Sequence, residues 1–96
     1  MYPDYDTPRL TGPYRDVHTE RASQQEQFGS EEHTLQEWAL ALAENVGTLA
    51  EAVLDATRDD SPDASLTAVR REAVKTGAGV IALLEYVDSL EQPTTT

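Results

Sequence analysis

The sequence predicts an all-α fold: two long antiparallel helices plus an N-terminal helix, dimerising into a four-helix-type bundle. Three observations predict it. Apolar residues recur every three or four positions over two long stretches; a capping sequence opens the first of them; a polar, proline-containing break separates the two.

Residues 1–13 hold three of the five prolines, two tyrosines and the turn-forming run Thr11-Gly12-Pro13. Such a segment reads as a disordered or loosely docked arm, which could cross to a neighbouring subunit through Tyr2, Tyr5 and Leu10. The helical domain is expected over 14–91, with residues 92–96, ending Pro93-Thr-Thr-Thr96, as a short tail. Within the domain, the first helix is expected from about Tyr14 to Gln27. It is polar, offers few core anchors, and stops at Phe28-Gly29-Ser30, where glycine suits a helix terminus.

The second helix is expected from about Leu35 to Thr57. Thr34 and Glu37, three apart, match a capping box in which each side chain satisfies a free backbone N–H of the other. Leu35, Trp38, Leu42, Val46, Leu49 and Val53 follow at spacings of 3, 4, 4, 3 and 4, one continuous apolar stripe. Asp59-Asp60-Ser61-Pro62-Asp63 then breaks the helix into a polar loop. The third helix is expected from about Ser65 to Leu90. Leu66, Val69, Ala73, Thr76, Val80, Leu83, Val87 and Leu90 form one row, and Val74, Gly77, Ile81 and Leu84 widen it. A face that broad should contact more than one helix, which is the argument for a homodimer. Gly77-Ala78-Gly79 lowers helix propensity but lets another backbone come close, or leaves a gap for a ligand.

Composition narrows the function classes. Ninety-six residues make a single domain with a limited core. The absence of cysteine removes disulfides and thiolate metal sites, and fits a reducing compartment. No run of 18 apolar residues spans a membrane. The opening Met-Tyr-Pro-Asp-Tyr-Asp has neither basic residues nor an apolar stretch, so no secretory signal is expected and a cytoplasmic location is. Net charge is −11, from 18 acids and 7 bases. That balance disfavours nucleic-acid backbones and anionic membranes, and suits cations or a basic protein partner. A soluble acidic domain is the plainest reading of it.

Three blocks, in order, carry a family likeness. The first is Glu20-Arg21-Ala-Ser-Gln24-Gln-Glu-Gln27-Phe28-Gly29. The second is Trp38-Ala-Leu-Ala-Leu-Ala-Glu44-Asn45-Val-Gly-Thr48-Leu. The third is Arg70-Arg71-Glu72-Ala73-Val74-Lys75-Thr76, closing on Ala82-Leu83-Leu84-Glu85-Tyr86-Val87-Asp88. Over about residues 16–90 the chain resembles the MazG-like, all-α nucleoside triphosphate pyrophosphohydrolases. The resemblance implies a helical bundle, a nucleoside triphosphate substrate cleaved to monophosphate and pyrophosphate, and Mg2+ as cofactor. In that family an E-x-x-E on one helix and an E-x-x-D on the next supply the magnesium ligands. The three-residue step puts both carboxylates on one helical face, and magnesium takes oxygen ligands.

Carried over, the first ligand pair becomes Asn45 and Thr48 and the second becomes Glu72 and Lys75. Glu44, neighbour of the first pair, also remains. The resemblance therefore implies Glu44 and Glu72 as catalytic residues, Glu44, Asn45 and Glu72 as metal ligands, and Lys75, Thr48 and Trp38 as nucleotide contacts. Three replaced acids imply that the chemistry is lost or greatly weakened, since protonated Lys75 cannot ligate and repels a divalent cation. Lys75 can instead hold a phosphate directly.

Each residue also has a plain structural reading. Glu44 shares a solvated acidic face with Glu37, Glu51 and Asp55. Glu72 and Lys75 make a surface ion pair. Trp38 belongs to the apolar stripe, where core packing competes with stacking on a nucleobase. His18 and His33 lack metal-site spacing and read as surface residues. No glycine-rich phosphate loop, G-x-S-x-G or cysteine nucleophile is present. Three functions stay open: a divergent pyrophosphohydrolase, an inactive nucleotide-binding relative, and a protein-interaction module on the same bundle.

Overall fold

A computed structural model describes residues 7–8, 10–28, 33–58 and 62–91. They form three helices, α1 (Pro13–Phe28), α2 (Leu35–Ala56) and α3 (Pro62–Glu91), and no strand among the described residues. The arm residues Tyr2 and Tyr5, the turn Gly29-Ser30, the acidic run 59–61 and the tail 92–96 lie outside them. Leu10, the arm's third anchor, is exposed. None of the described helices is long and apolar enough to cross a membrane.

The α2 start forms as its sequence predicts. The Thr34 backbone N–H donates to Glu37 Oε1 at 2.8 Å, and the Glu37 N–H donates to Thr34 Oγ1 at 3.1 Å. The α3 start differs from expectation. Pro62 and Asp63, read as loop, are the first residues of the helix. Proline has no N–H to lose in a first turn, and its fixed φ already suits a helix. Pro13 opens α1 in the same way.

α3 is the central helix, and α1 and α2 each pack against it. Trp38 meets Tyr86, while Asn45 meets Thr76 and Gly79, so α2 and α3 run antiparallel. α1 crosses α3 steeply. Its Asp16, Glu20 and Ser23 face the Thr67–Lys75 half of α3, whereas Tyr14, His18, Arg21 and Gln25 face the Ile81–Ser89 half. Two ion pairs hold this polar helix: Arg70–Asp16 at 2.6 Å and Arg21–Glu85 at 2.7 Å.

The two helix contacts rest on the glycine pair. A Cβ on Gly77 would stand 3.3 Å from a Val17 methyl of α1, and one on Gly79 would stand 3.1 Å from Asn45 Nδ2 of α2. Beside them, Ala78 and Ala82 are the buried apolar residues among those described, with exposures of 0% and 4%. No large described side chain is fully buried.

The α2 stripe is not buried as one unit. Trp38, Leu42, Asn45, Leu49, Ala52 and Ala56 are half-buried, whereas Leu35, Val46 and Val53 stand about half exposed. The contact line is thus rotated away from the stripe's centre toward its smaller side chains, Asn45, Ala52 and Ala56. These allow a closer approach to α3, whose own contact residue at the middle is Gly79.

Thr34→Ala removes the hydroxyl acceptor of the capping box and should destabilise the fold by about 1 kcal/mol in denaturant unfolding. Glu37 adds a pH signature. The Thr34 backbone N–H chiefly holds its carboxyl below the usual range; desolvation opposes it, and the Thr34 hydroxyl and nearby His33 add smaller lowering effects. Its stabilisation is therefore full above the pKa of an unfolded glutamate and is lost as pH falls through the lower folded value. Glu37→Gln should abolish that part of the acid-side loss, measured as unfolding midpoints across the acidic limb.

Candidate functional site

The residues singled out from the sequence fall at two places on the α2–α3 pair. The first is the middle of the contact. Asn45 is half-buried there, and its main-chain carbonyl lies 3.3 Å from Thr76 Oγ1. That hydroxyl is closer to the Glu72 carbonyl, at 2.8 Å, so its single proton serves its own helix first. One turn before Thr76, the Glu72 side chain is 15% exposed and the Lys75 side chain 48% exposed. Lys75 Nζ stands 3.7 Å from Glu72 Oε2.

Glu44 and Thr48 belong to the exposed side of α2. The Thr48 hydroxyl donates to the Glu44 carbonyl at 3.0 Å, turning back on its own helix. No three of the described His, Cys, Asp and Glu residues gather as a metal-holding set. A magnesium ion fits this arrangement poorly on chemical grounds. The mostly buried carboxylate of Glu72 faces an ammonium, and Asn45 and Thr48 are neutral where the second carboxylate pair would stand.

Cations concentrate nearby. Arg70, Arg71 and Lys75 line a groove of about 560 Å³ between α1 and α3, opposite Asp16 and Glu20. Three of the chain's seven bases thus fall within six consecutive residues of an otherwise acidic protein. Arg70 is committed to Asp16, so Arg71 and the exposed end of Lys75 face the groove with the smaller commitment.

The second place surrounds Trp38. Seven residues before Asn45 on α2, it lies about 10 Å away along the helix axis. Its ring contacts Tyr86 at 6.0 Å, tilted, and His33 at 5.3 Å, edge to face. His33 is accordingly half-buried against the indole rather than a surface residue. An isolated histidine carries no periodic signal, so only the entry of the chain into α2 decides its neighbour. Trp38 Nε1 is buried with no acceptor. It borders a groove of about 1140 Å³ between α1, α3 and the start of α2, lined by Tyr14, Val17, Arg21, Ile81, Ala82 and Tyr86.

Tyr86 and Arg21 were not singled out by sequence reasoning. Tyr86 could have been found, since it recurs on the row of Leu83 and Gly79 that faces α2. Arg21 could not, because its side chain, 19% exposed, is recruited by Glu85 64 residues away.

Set against protein-family models, curated proteins and solved structures, the chain matches none of them.

The Asn45–Gly79 contact makes a stability prediction. Gly79→Leu puts a side chain where the Asn45 amide now stands and should cost on the order of 2 kcal/mol. Gly47, whose added Cβ meets nothing within 4 Å, is the contrast. Gly47→Ala should stabilise α2 by about 0.5–1 kcal/mol. Urea unfolding of both variants checks the pair.

Proposed function

We propose that the chain is a reduced relative of the MazG-like nucleoside triphosphate pyrophosphohydrolases, in which protein cations stand in for the metal and nucleotide binding outlasts hydrolysis. The observation that carries the reading is the 3.7 Å pair between Lys75 and Glu72, on the rim of the groove that Arg70 and Arg71 share. Hydrolysis between the α and β phosphates needs an in-line water and a neutralised leaving group, work that magnesium does in the family. An ammonium at that place supplies positive charge for a phosphate but no metal-bound water. Trp38 packs on Tyr86, about 16 Å along α3 from Lys75 and across α1 from that groove, so the cations and not the indole carry this reading.

A second reading keeps the bundle as a protein-interaction module. It is favoured by the apolar face of α2 and α3 that the fold leaves exposed.

Pyrophosphate release from a panel of NTPs and dNTPs, with magnesium and then manganese, tests the first reading. Release no greater than that of Glu72→Gln is expected. In parallel, an NTP should raise the melting temperature with metal chelated, and Lys75→Gln should remove that rise. Release that disappears in Glu72→Gln would make the chain a working hydrolase. The absence of any thermal shift would leave the interaction module.

A further inference from the structure

α1 is held to the fold more by charge than by apolar burial. Its half-buried side chains, among those described, are Asp16, Val17, Glu20, Arg21 and Gln24, and Val17 alone of them is apolar. On α2 the half-buried set has Asn45 as its one polar member. Among the described residues α1 packs on α3 and not on α2. Two ion pairs, Asp16–Arg70 at 2.6 Å and Arg21–Glu85 at 2.7 Å, fasten it there. The side chains of Asp16, Arg70 and Glu85 are 35%, 56% and 57% exposed, so dissolved salt screens both pairs. A polar helix of 16 residues does not persist alone in water. Undocking and unfolding of α1 are therefore one event, at the low-stability end of the molecule.

The Asp16–Arg70 pair also has a place in the cationic groove. Arg70, Arg71 and Lys75 line one side of it, and α1 sets Asp16 and Glu20 against them. Asp16 thereby takes, from within the chain, the position on Arg70 that an anionic ligand would need. A phosphate chain entering the groove has to displace that carboxylate and stand beside Glu20. Ligand and docked helix are then like charges at close range.

We propose that α1 is an autoinhibitory latch: its Asp16 and Glu20 fill the Arg70–Arg71–Lys75 groove as an internal anion, and ligand phosphates bind tightly only when α1 lets go. The inference rests on the phosphate reading of that groove and adds its regulation. The coupling is reciprocal. Whatever loosens α1 strengthens phosphate binding, and phosphate loosens α1 by the same factor. The second ion pair allows the latch to be opened from a distance. Glu85 lies ten residues beyond Lys75, about 15 Å along α3. It is outside the cationic groove and farther from Lys75 than the Debye length of about 10 Å at 0.1 M salt. Losing Arg21–Glu85 therefore reaches the groove chiefly through the docking of α1.

Inorganic triphosphate is the probe, titrated by calorimetry into the full chain in 0.1 M salt with metal chelated. The double variant Asp16→Asn, Glu20→Gln should bind it about tenfold or more tightly than the unmodified chain. Glu85→Gln, which touches only the remote pair, should tighten binding severalfold. Amide hydrogen exchange gives the matching readout in the unmodified chain. Protection of α1 should fall when salt is raised to 1 M, and again when triphosphate is added in 0.1 M salt, while α2 and α3 keep theirs. Should a variant lose α2 and α3 by circular dichroism, the exchange arm decides, since it needs no substitution. Triphosphate bound equally by the unmodified chain and Glu85→Gln, or α1 protection that salt leaves unmoved, overturns the latch and leaves the phosphate reading standing. No binding by the unmodified chain or by either variant overturns the phosphate reading, and the latch falls with it.

Discussion

The fold depends on how closely two helices can approach α3. A three-helix arrangement of this size has few apolar side chains to interlock, and close approach must do what bulk does elsewhere. Gly77 and Gly79 allow it on nearly opposite sides of α3, one toward Val17 of α1 and the other toward Asn45 of α2. Ala78 and Ala82 fill the space between and are the residues removed from water. Glycine inside a helix costs about 1 kcal/mol of propensity relative to alanine. Here that cost sits at the two points where added atoms would push the partner helices apart.

That constraint also arranges the polar groups. Bringing Asn45 against Gly79 sets its carbonyl beside the Thr76 hydroxyl and places Glu72, largely buried, one turn earlier. A carboxylate so placed is expensive to leave alone. Lys75, on the next turn and half exposed, is near enough to offset part of its charge while keeping its ammonium hydrated. The same lysine sits on the rim of the groove that holds Arg70 and Arg71. One residue therefore joins the polar centre of the α2–α3 contact to the one concentration of positive charge along α3. An anionic ligand entering the groove meets cations already positioned by Asp16 and Glu72.

Turning α2 so that its small residues face α3 has a second consequence. The larger aliphatics of the stripe, Val46 and Val53 with Leu35, are left on a flank shared with Val80 and Leu84 of α3. The protein thus carries an uncharged surface on one side of α2 and four acids on the other. Polarity is divided by face and not spread evenly, which decides how a strongly acidic chain can meet another protein. Contact through the apolar flank keeps like charges apart; contact through the acidic flank requires a basic partner.

Much of the fold was legible in the sequence, because it is local. The spacing of Leu35 to Val53 and of Leu66 to Leu90 defines two helices whatever they pack against. Thr34 with Glu37 defines the start of one by a hydrogen-bond pair spanning four residues. The pairing of Glu72 with Lys75 follows from their three-residue step. What the sequence could not determine is the rotation of each helix about its own axis. A broad stripe permits several contact lines, and the choice among Asn45, Ala52 and Ala56 over Val46 and Val53 was made by the closest approach to Gly79. The same holds for His33 against Trp38, for Arg21 with Glu85, and for the division of the two glycines between α1 and α2. The sequence by itself determined which segments are helical and which residues share a face. Only the tertiary structure decided which part of each face is buried, because that depends on the shape of a partner helix distant in the chain.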